Sequence, residues 1–157
     1  MNLEMLGVAA EVVGAGAVVV SLIYLAVQIR AQNRESRIAS MHDIAVGFRE
    51  AISTFTSVDN ADLSIRGNED FDQLSDAEKL ALISSWVIVF RVCEEAFIQK
   101  QEDRLDERSW AAMEKWASTF MSAPCVRKIW SSRRVYFDVE FQNFLDTLDT
   151  PTEYRLA

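Results

Sequence analysis

The sequence is poor in the residues that punctuate a chain. Its 157 residues include two prolines and five glycines. That is too few for the frequent turns of a β fold, so helix is favoured. It has one histidine, His42, so a single chain cannot assemble a His-based metal site, and neither metal nor cofactor is expected. Basic residues are the minority: 16 Lys and Arg stand against 24 Asp and Glu, for a formal net charge of −8. A nucleic-acid partner needs a basic footprint that displaces counterions from phosphates, so none is expected. The two cysteines, Cys93 and Cys125, form no close motif and read as reduced thiols of a cytosolic domain. No G-x-S-x-G, phosphate-loop or dinucleotide pattern occurs.

What is present is a long apolar run. The stretch LGVAAEVVGAGAVVVSLIYLAVQI covers Leu6 to Ile29. A bilayer core takes roughly 20 mostly apolar helical residues. Val8 to Val27 meets that length with Glu11 as its one charge. A signal peptide is the main competitor, but such peptides open with positive charge. Here no Lys or Arg precedes Arg30. Residues 1–29 are therefore read as an uncleaved transmembrane anchor in contact with membrane lipids. Arg30, Arg34 and Arg37 follow the span closely and suit phosphate headgroups. By the positive-inside rule they place the amino terminus outside and the rest of the chain in the cytoplasm.

Small residues fall on one side of this span: Gly7, Ala10, Gly14, Ala17 and Ser21, with Tyr24 and Gln28 continuing the line. Lipid supplies no hydrophobic drive between helices, so close packing at small residues is what joins them. The stripe is read as a homo-oligomer interface, and the bland alternative is the ordinary Gly and Ala content of a span. Glu11 lies about a turn inside the outer end, where a carboxylate needs water, headgroups or a partner. It reads as an interfacial side chain, or as a ring of carboxylates at a pore mouth.

Residues 30–149 read as a helical cytoplasmic domain. No Pro or Gly interrupts Ala17 to Val46, so the span is expected to continue as one long amphipathic helix to about Thr56. Its apolar face is Ile38, Met41, Ala45, Phe48, Ile52 and Phe55. A short helix is predicted from about Ala61 to Arg66, stopped by Gly67, then a loop from Asn68 to Leu74. Ser75 and Glu78 form a capping box that opens a helix to about Asp103. Its middle, LALISSWVIVFRVCEEAF, is apolar on most sides. Ser84 and Ser85 within it, and Lys79 and Arg91 beside it, favour a buried core helix over a second span. Asp106 is expected to cap a helix over about Glu107–Met121, Pro124 to begin one ending near Ser132, and Asp138 to cap one over about Val139–Leu148. The tail, residues 150–157, is expected to be loose. The fold class is all-α: an anchor, a long helix and a small bundle.

Little in this domain points to chemistry. His42 reads as a packed or surface residue. No Glu-x-x-His pair accompanies Glu94 and Glu95, so a di-iron site is not expected. Glu94 reads as a buried partner of an arginine such as Arg91, three residues away. Arg127, Lys128, Arg133 and Arg134 surround Trp130, either as a patch for anionic headgroups or as charges paired with the abundant acids. Catalysis is not expected.

The blocks EVVGAGAVVVSLIYLAVQIRAQN, FRVCEEAFIQKQEDRLDERSW and WSSRRVYFDVEFQNFLD carry a resemblance covering most of the chain. The chain resembles an uncharacterised family of small bacterial membrane proteins. That resemblance implies a bacterial inner-membrane anchor with a helical domain and brings no activity. Two functions are expected from the whole reading. One is a homo-oligomeric scaffold or pore-like assembly. The other is a monomeric tether whose bundle binds a partner protein or a small apolar ligand, through a cleft among Trp110, Trp116, Phe120 and Trp130.

Overall fold

The structure is a computed structural model that describes residues 3–151; the side chains of residues 3–6, 9 and 10 lie outside that description. The described residues form six α-helices and two short 3-10 turns, with no strand among them. The all-α class is as the sequence predicts. The chain divides into two units, residues 1–39 and residues 40–157.

The described residues of the first unit are helical. They belong to α1 (Leu3–Ser53), which is unbroken for 51 residues. From Glu11 to Ala39 every residue of it is exposed. From Val12 to Ile29 it is apolar without a buried face, a composition that suits a membrane span better than a surface helix in water.

The second unit begins with the end of α1. A hydroxyl-rich turn stops the helix, where Thr54 Oγ1 donates to the Ala51 carbonyl at 2.7 Å and Thr56 Oγ1 to that of Ser53 at 2.8 Å. Ser57 then caps α2 (Val58–Asp70) by accepting from the Asn60 N–H. This corrects the expectation of a short helix ending at Gly67. Gly67 lies inside α2 and is buried. A Cβ placed there would come within 2.6 Å of Leu82 Cδ2. The glycine is a contact between helices and not a stop. The predicted loop of 68–74 is likewise the end of α2 followed by a 3-10 turn, Phe71–Gln73, with Asp70 accepting from the Asp72 N–H.

The capping box at Ser75 and Glu78 is formed in full and starts α3 (Asp76–Gln101). The helix ends as the Asp103 N–H reaches the Lys100 carbonyl at 3.1 Å and the Arg104 N–H reaches that of Gln99 at 2.8 Å. Asp103 takes a φ of 57°, the left-handed turn such an ending requires. Asp106 caps α4 (Glu107–Met121), Pro124 opens α5 (Pro124–Arg133), and Asp138 caps α6 (Val139–Thr147). A 3-10 turn, Arg134–Tyr136, joins the last two helices. The tail expected to be loose falls outside the described residues from Thr152 onward.

The other elements of the unit pack around α3. Phe90 is fully buried. Its ring centroid lies 6.2 Å from that of Trp86, 6.0 Å from Phe120, 5.0 Å from Trp130 and 5.9 Å from Phe137. Leu82, Val89, Cys93 and Ala96 extend the buried face along α3. The end of α1 and the turn after it lay Ile44, Phe48, Ala51 and Phe55 on this core. A Cβ on Gly47 would come to 3.3 Å from Val92 on α3. The face differs from the predicted one: Ile38, Met41, Ala45 and Ile52 stay exposed.

One buried carboxylate ties α3 to the start of α6. Glu94 is 8% exposed. It accepts from Arg91 Nη1 at 2.6 Å and from the Asp138 N–H at 2.7 Å. Arg91 also donates to the Tyr136 carbonyl at 2.9 Å and stacks over the Phe137 ring at 4.3 Å. The expected Arg91–Glu94 pair is present, and it carries a third partner in the backbone.

Replacing Gly67 with Ala gains helix propensity, about 1 kcal/mol, but forces a Cβ against Leu82, and overpacking costs about 1–3 kcal/mol. Net destabilisation on the order of 1 kcal/mol is expected in denaturant unfolding of the full chain. Unchanged stability in Gly67→Ala would show that α2 does not approach α3 this closely. The second prediction concerns pH. Hydrogen bonds from the Ser75 hydroxyl and N–H, then from Arg66, hold the Glu78 carboxyl down to about 2. Its charged form is the one the folded state favours. Its contribution is therefore complete above the ordinary value of 4.5 and disappears as pH falls towards about 2. The gap in unfolding temperature between the wild type and Glu78→Ala should narrow over that acid range. A gap that stays constant would rule out the cap as the cause.

Candidate functional site

Two features stand out: the exposed apolar half of α1, and an open apolar groove on the second unit.

One helix of the structure is long and apolar enough to cross a membrane, near the amino terminus. Among the stripe residues, Gly7, Gly14, Ala17, Ser21, Tyr24 and Gln28 are exposed, and the Ala10 side chain lies outside the described residues. A Cβ on Gly7 or Gly14 would meet nothing within 4 Å. The polar members are paired within the helix itself. Ser21 Oγ donates to the Ala17 carbonyl at 2.8 Å, and Gln28 Nε2 donates to the Tyr24 hydroxyl at 2.9 Å. The Ser21 hydroxyl, bonded this way, no longer presents an unmet donor to lipid. At about 100° per residue, Glu11 sits roughly 90° from the centre of the stripe. The carboxylate and the small residues therefore use different faces of the helix. Arg30, Arg34 and Arg37 are exposed beyond the apolar run.

The groove lies between the end of α1 and α4. It encloses about 430 Å³ between Met41, Ala45 and Ile52 on one side and Leu105, Ala112 and Trp116 on the other. The single polar side chain in its lining is Ser109, and no charged residue takes part. Ile44 and Phe48, which also pack on the core, line it as well, and Phe48 meets Trp116 of α4 at a ring-centroid distance of 4.7 Å. A second cavity of about 280 Å³ lies among α1, α2, α3 and α4. Ile52 and Trp116 line both. Its polar lining is Ser64, Asn68 and the indole of Trp86.

The aromatic cleft expected from the sequence is only partly present. Trp130 and Phe120 are buried, 3% and 5% exposed, in the Phe90 cluster. Trp110 packs with Phe97 and Phe144, at centroid distances of 6.1 and 5.1 Å. Trp116 alone of the four lines the groove. The groove residues Met41, Ala45 and Ile52 belong to the face that the sequence assigns to the core.

The basic residues near Trp130 are mostly paired. Lys128 Nζ lies 2.5 Å from Asp72 Oδ2, and Arg134 pairs with Asp146. Asp146 also accepts from Trp130 Nε1 at 2.8 Å. Of the two readings of this cluster, the one with charges neutralised by acids describes Lys128 and Arg134. His42 is exposed. Among the described residues no group of three or more His, Cys, Asp or Glu could hold a metal ion. Both thiols are buried. Burial pushes the Cys93 thiol far up and the Cys125 thiol up to about 11, so both stay protonated at neutral pH.

No family model, curated protein or solved structure matches the chain.

Proposed function

We propose that this is a single-span protein of the bacterial inner membrane, with its amino terminus outside, and that its cytoplasmic bundle is a binding module for apolar molecules. The observation that carries the binding role is the groove between α1 and α4. About 430 Å³ of open space is walled almost wholly by apolar side chains with no charge in the lining. Cavities of roughly 300–1,000 Å³ with mostly apolar walls are the usual form of small-molecule sites. Leaving Ile52 at 47% and Met41 at 40% exposure has a hydrophobic cost that an occupant removes. The anchor rests on the exposed apolar half of α1, and its orientation on Arg30, Arg34 and Arg37. The module binds and does not transform what it holds.

A second reading, self-association through the span, is favoured by a separate observation. The open flank at Gly7 and Gly14 allows another helix to approach the backbone closely.

Four measurements test these readings. The protein should stay with membranes through an alkaline carbonate wash, and a protease added outside intact cells should spare the bundle. Release by carbonate removes the anchor from consideration. Full-length protein in lipid nanodiscs should enhance the fluorescence of N-phenyl-1-naphthylamine saturably, and Ala112→Trp should suppress it by filling the groove. A plugged variant that still binds the dye would sink the binding role. For the second reading, light scattering in mild detergent should show several chains for wild type and one for Gly14→Leu. A Gly14→Leu protein of wild-type mass eliminates the stripe as the contact.

A further inference from the structure

The outer side of α3 has no helix of the chain against it. Ile88, Arg91, Glu95 and Ile98 are exposed along it. At about 100° per residue the four fall within roughly 80° of one another, on one face. Leu80 and Ser84 extend that face towards the start of the helix. The four read as a palindrome in spacing and in chemistry. The steps are three, four and three residues, apolar side chains stand at both ends, and opposite charges stand in the middle. Neither charge is used up within the chain. Arg91 gives one N–H to Glu94 and one to the Tyr136 carbonyl, and a guanidinium has about five. Its side chain stays 51% exposed. Glu95 accepts from Gln99 Nε2 at 2.7 Å through one oxygen and forms no ion pair among the described residues.

We infer that this face is a contact between two copies of the chain, with their α3 helices antiparallel and crossing at the level of Cys93. Reversing the chain about that point exchanges position 88 with 98 and position 91 with 95. Each Arg91 then meets the Glu95 of the second copy, and each Ile88 meets the Ile98 of the second copy. The complement of the face is the face itself, which is the requirement of a two-fold contact. That is why a second copy fits it. A parallel pair fails on the same residues, because it sets Arg91 against Arg91 and Glu95 against Glu95. Val135 and Tyr136, exposed beside the carbonyl that Arg91 holds, border the face with further apolar surface. One helix stripe is a narrow contact next to the roughly 800 Å² per partner of stable soluble complexes. It forms where chains are concentrated in the plane of a membrane, and it comes apart in dilute detergent. That condition rests on the anchor proposed above; the contact uses neither the groove nor the small-residue stripe.

The test irradiates membranes holding a tagged full-length chain with Ile88→p-benzoylphenylalanine together with the untagged natural chain. A benzophenone joins to the C–H bonds it touches, so a contact leaves a covalent dimer that survives denaturing electrophoresis. Peptide mapping should place the attachment within about one turn of Ile98 on the untagged chain. The same probe at position 98 should attach near Ile88, as two-fold symmetry demands. Glu95→Gln keeps the acceptor for Gln99 and removes the charge. In both chains it should lower the dimer yield roughly fivefold, the loss of two exposed ion pairs. The dimer should persist when both chains carry Gly14→Leu. Absence of a dimer from both probe positions overturns the inference. So does attachment of the position-88 probe around Ile88, an unchanged yield in Glu95→Gln, or loss of the dimer in Gly14→Leu. Recovery of the protein in carbonate-washed membranes is measured first, so that failure of the anchor and failure of the contact are told apart.

Discussion

The second unit depends on the burial of one broad face of α3, while Leu80, Ser84, Ile88, Arg91, Glu95 and Ile98 stay exposed along the other. A helix with so broad an apolar face cannot be stable in water until other elements cover it. For α3 that cover is supplied by α2, α4, α5, α6 and the end of α1. Phe90 marks the centre, with four aromatic neighbours drawn from α3 itself, α4, α5 and the turn before α6. Polar contacts then fix how the cover is seated. Glu94 is the clearest case, since its two oxygens join an arginine on its own helix to the backbone at Asp138. A carboxylate buried beside this cluster is tolerable only because both oxygens have donors.

The groove arises on the same helix that covers the core. Ile44 and Phe48 of α1 pack against the core and also line the open space beside α4, where Phe48 meets Trp116 at a centroid distance of 4.7 Å. Met41, Ala45 and Ile52 on the same flank stay exposed. Binding functions commonly arise where a scaffold has apolar surface in excess of its folding needs.

Helix starts were legible in the sequence because capping is local. Ser75 with Glu78, Asp106 and Asp138 each bond a backbone group within three residues, so nothing distant needs to be known. The interior of α2 was not legible. Gly67 looks like a stop signal, and only the position of Leu82, fifteen residues on, shows that it is a packing contact. The buried face of α1 was misjudged for a related reason. Periodicity weights large apolar residues, whereas the tightest approaches on this helix are made by Ala51 and Gly47. The candidate site was the least visible part. Asn68 stands in a stretch that reads as loop, and the group that bonds its oxygen, the Cys125 N–H, belongs to a different helix. Contacts between helices far apart in sequence decide both points, and neither composition nor spacing encodes them.

The burial of both cysteines has a practical consequence. Cys93 sits on the core face of α3 and Cys125 beside Gly67 at the start of α5. With protonated sulfurs and no path to solvent, neither is a nucleophile for maleimides or thiosulfonates at neutral pH. The natural chain thus behaves as a cysteine-silent background. A thiol introduced on the exposed half of α1 would be the reactive one, so crosslinking or spin-label distances along that helix can be collected without first stripping sulfur from the core.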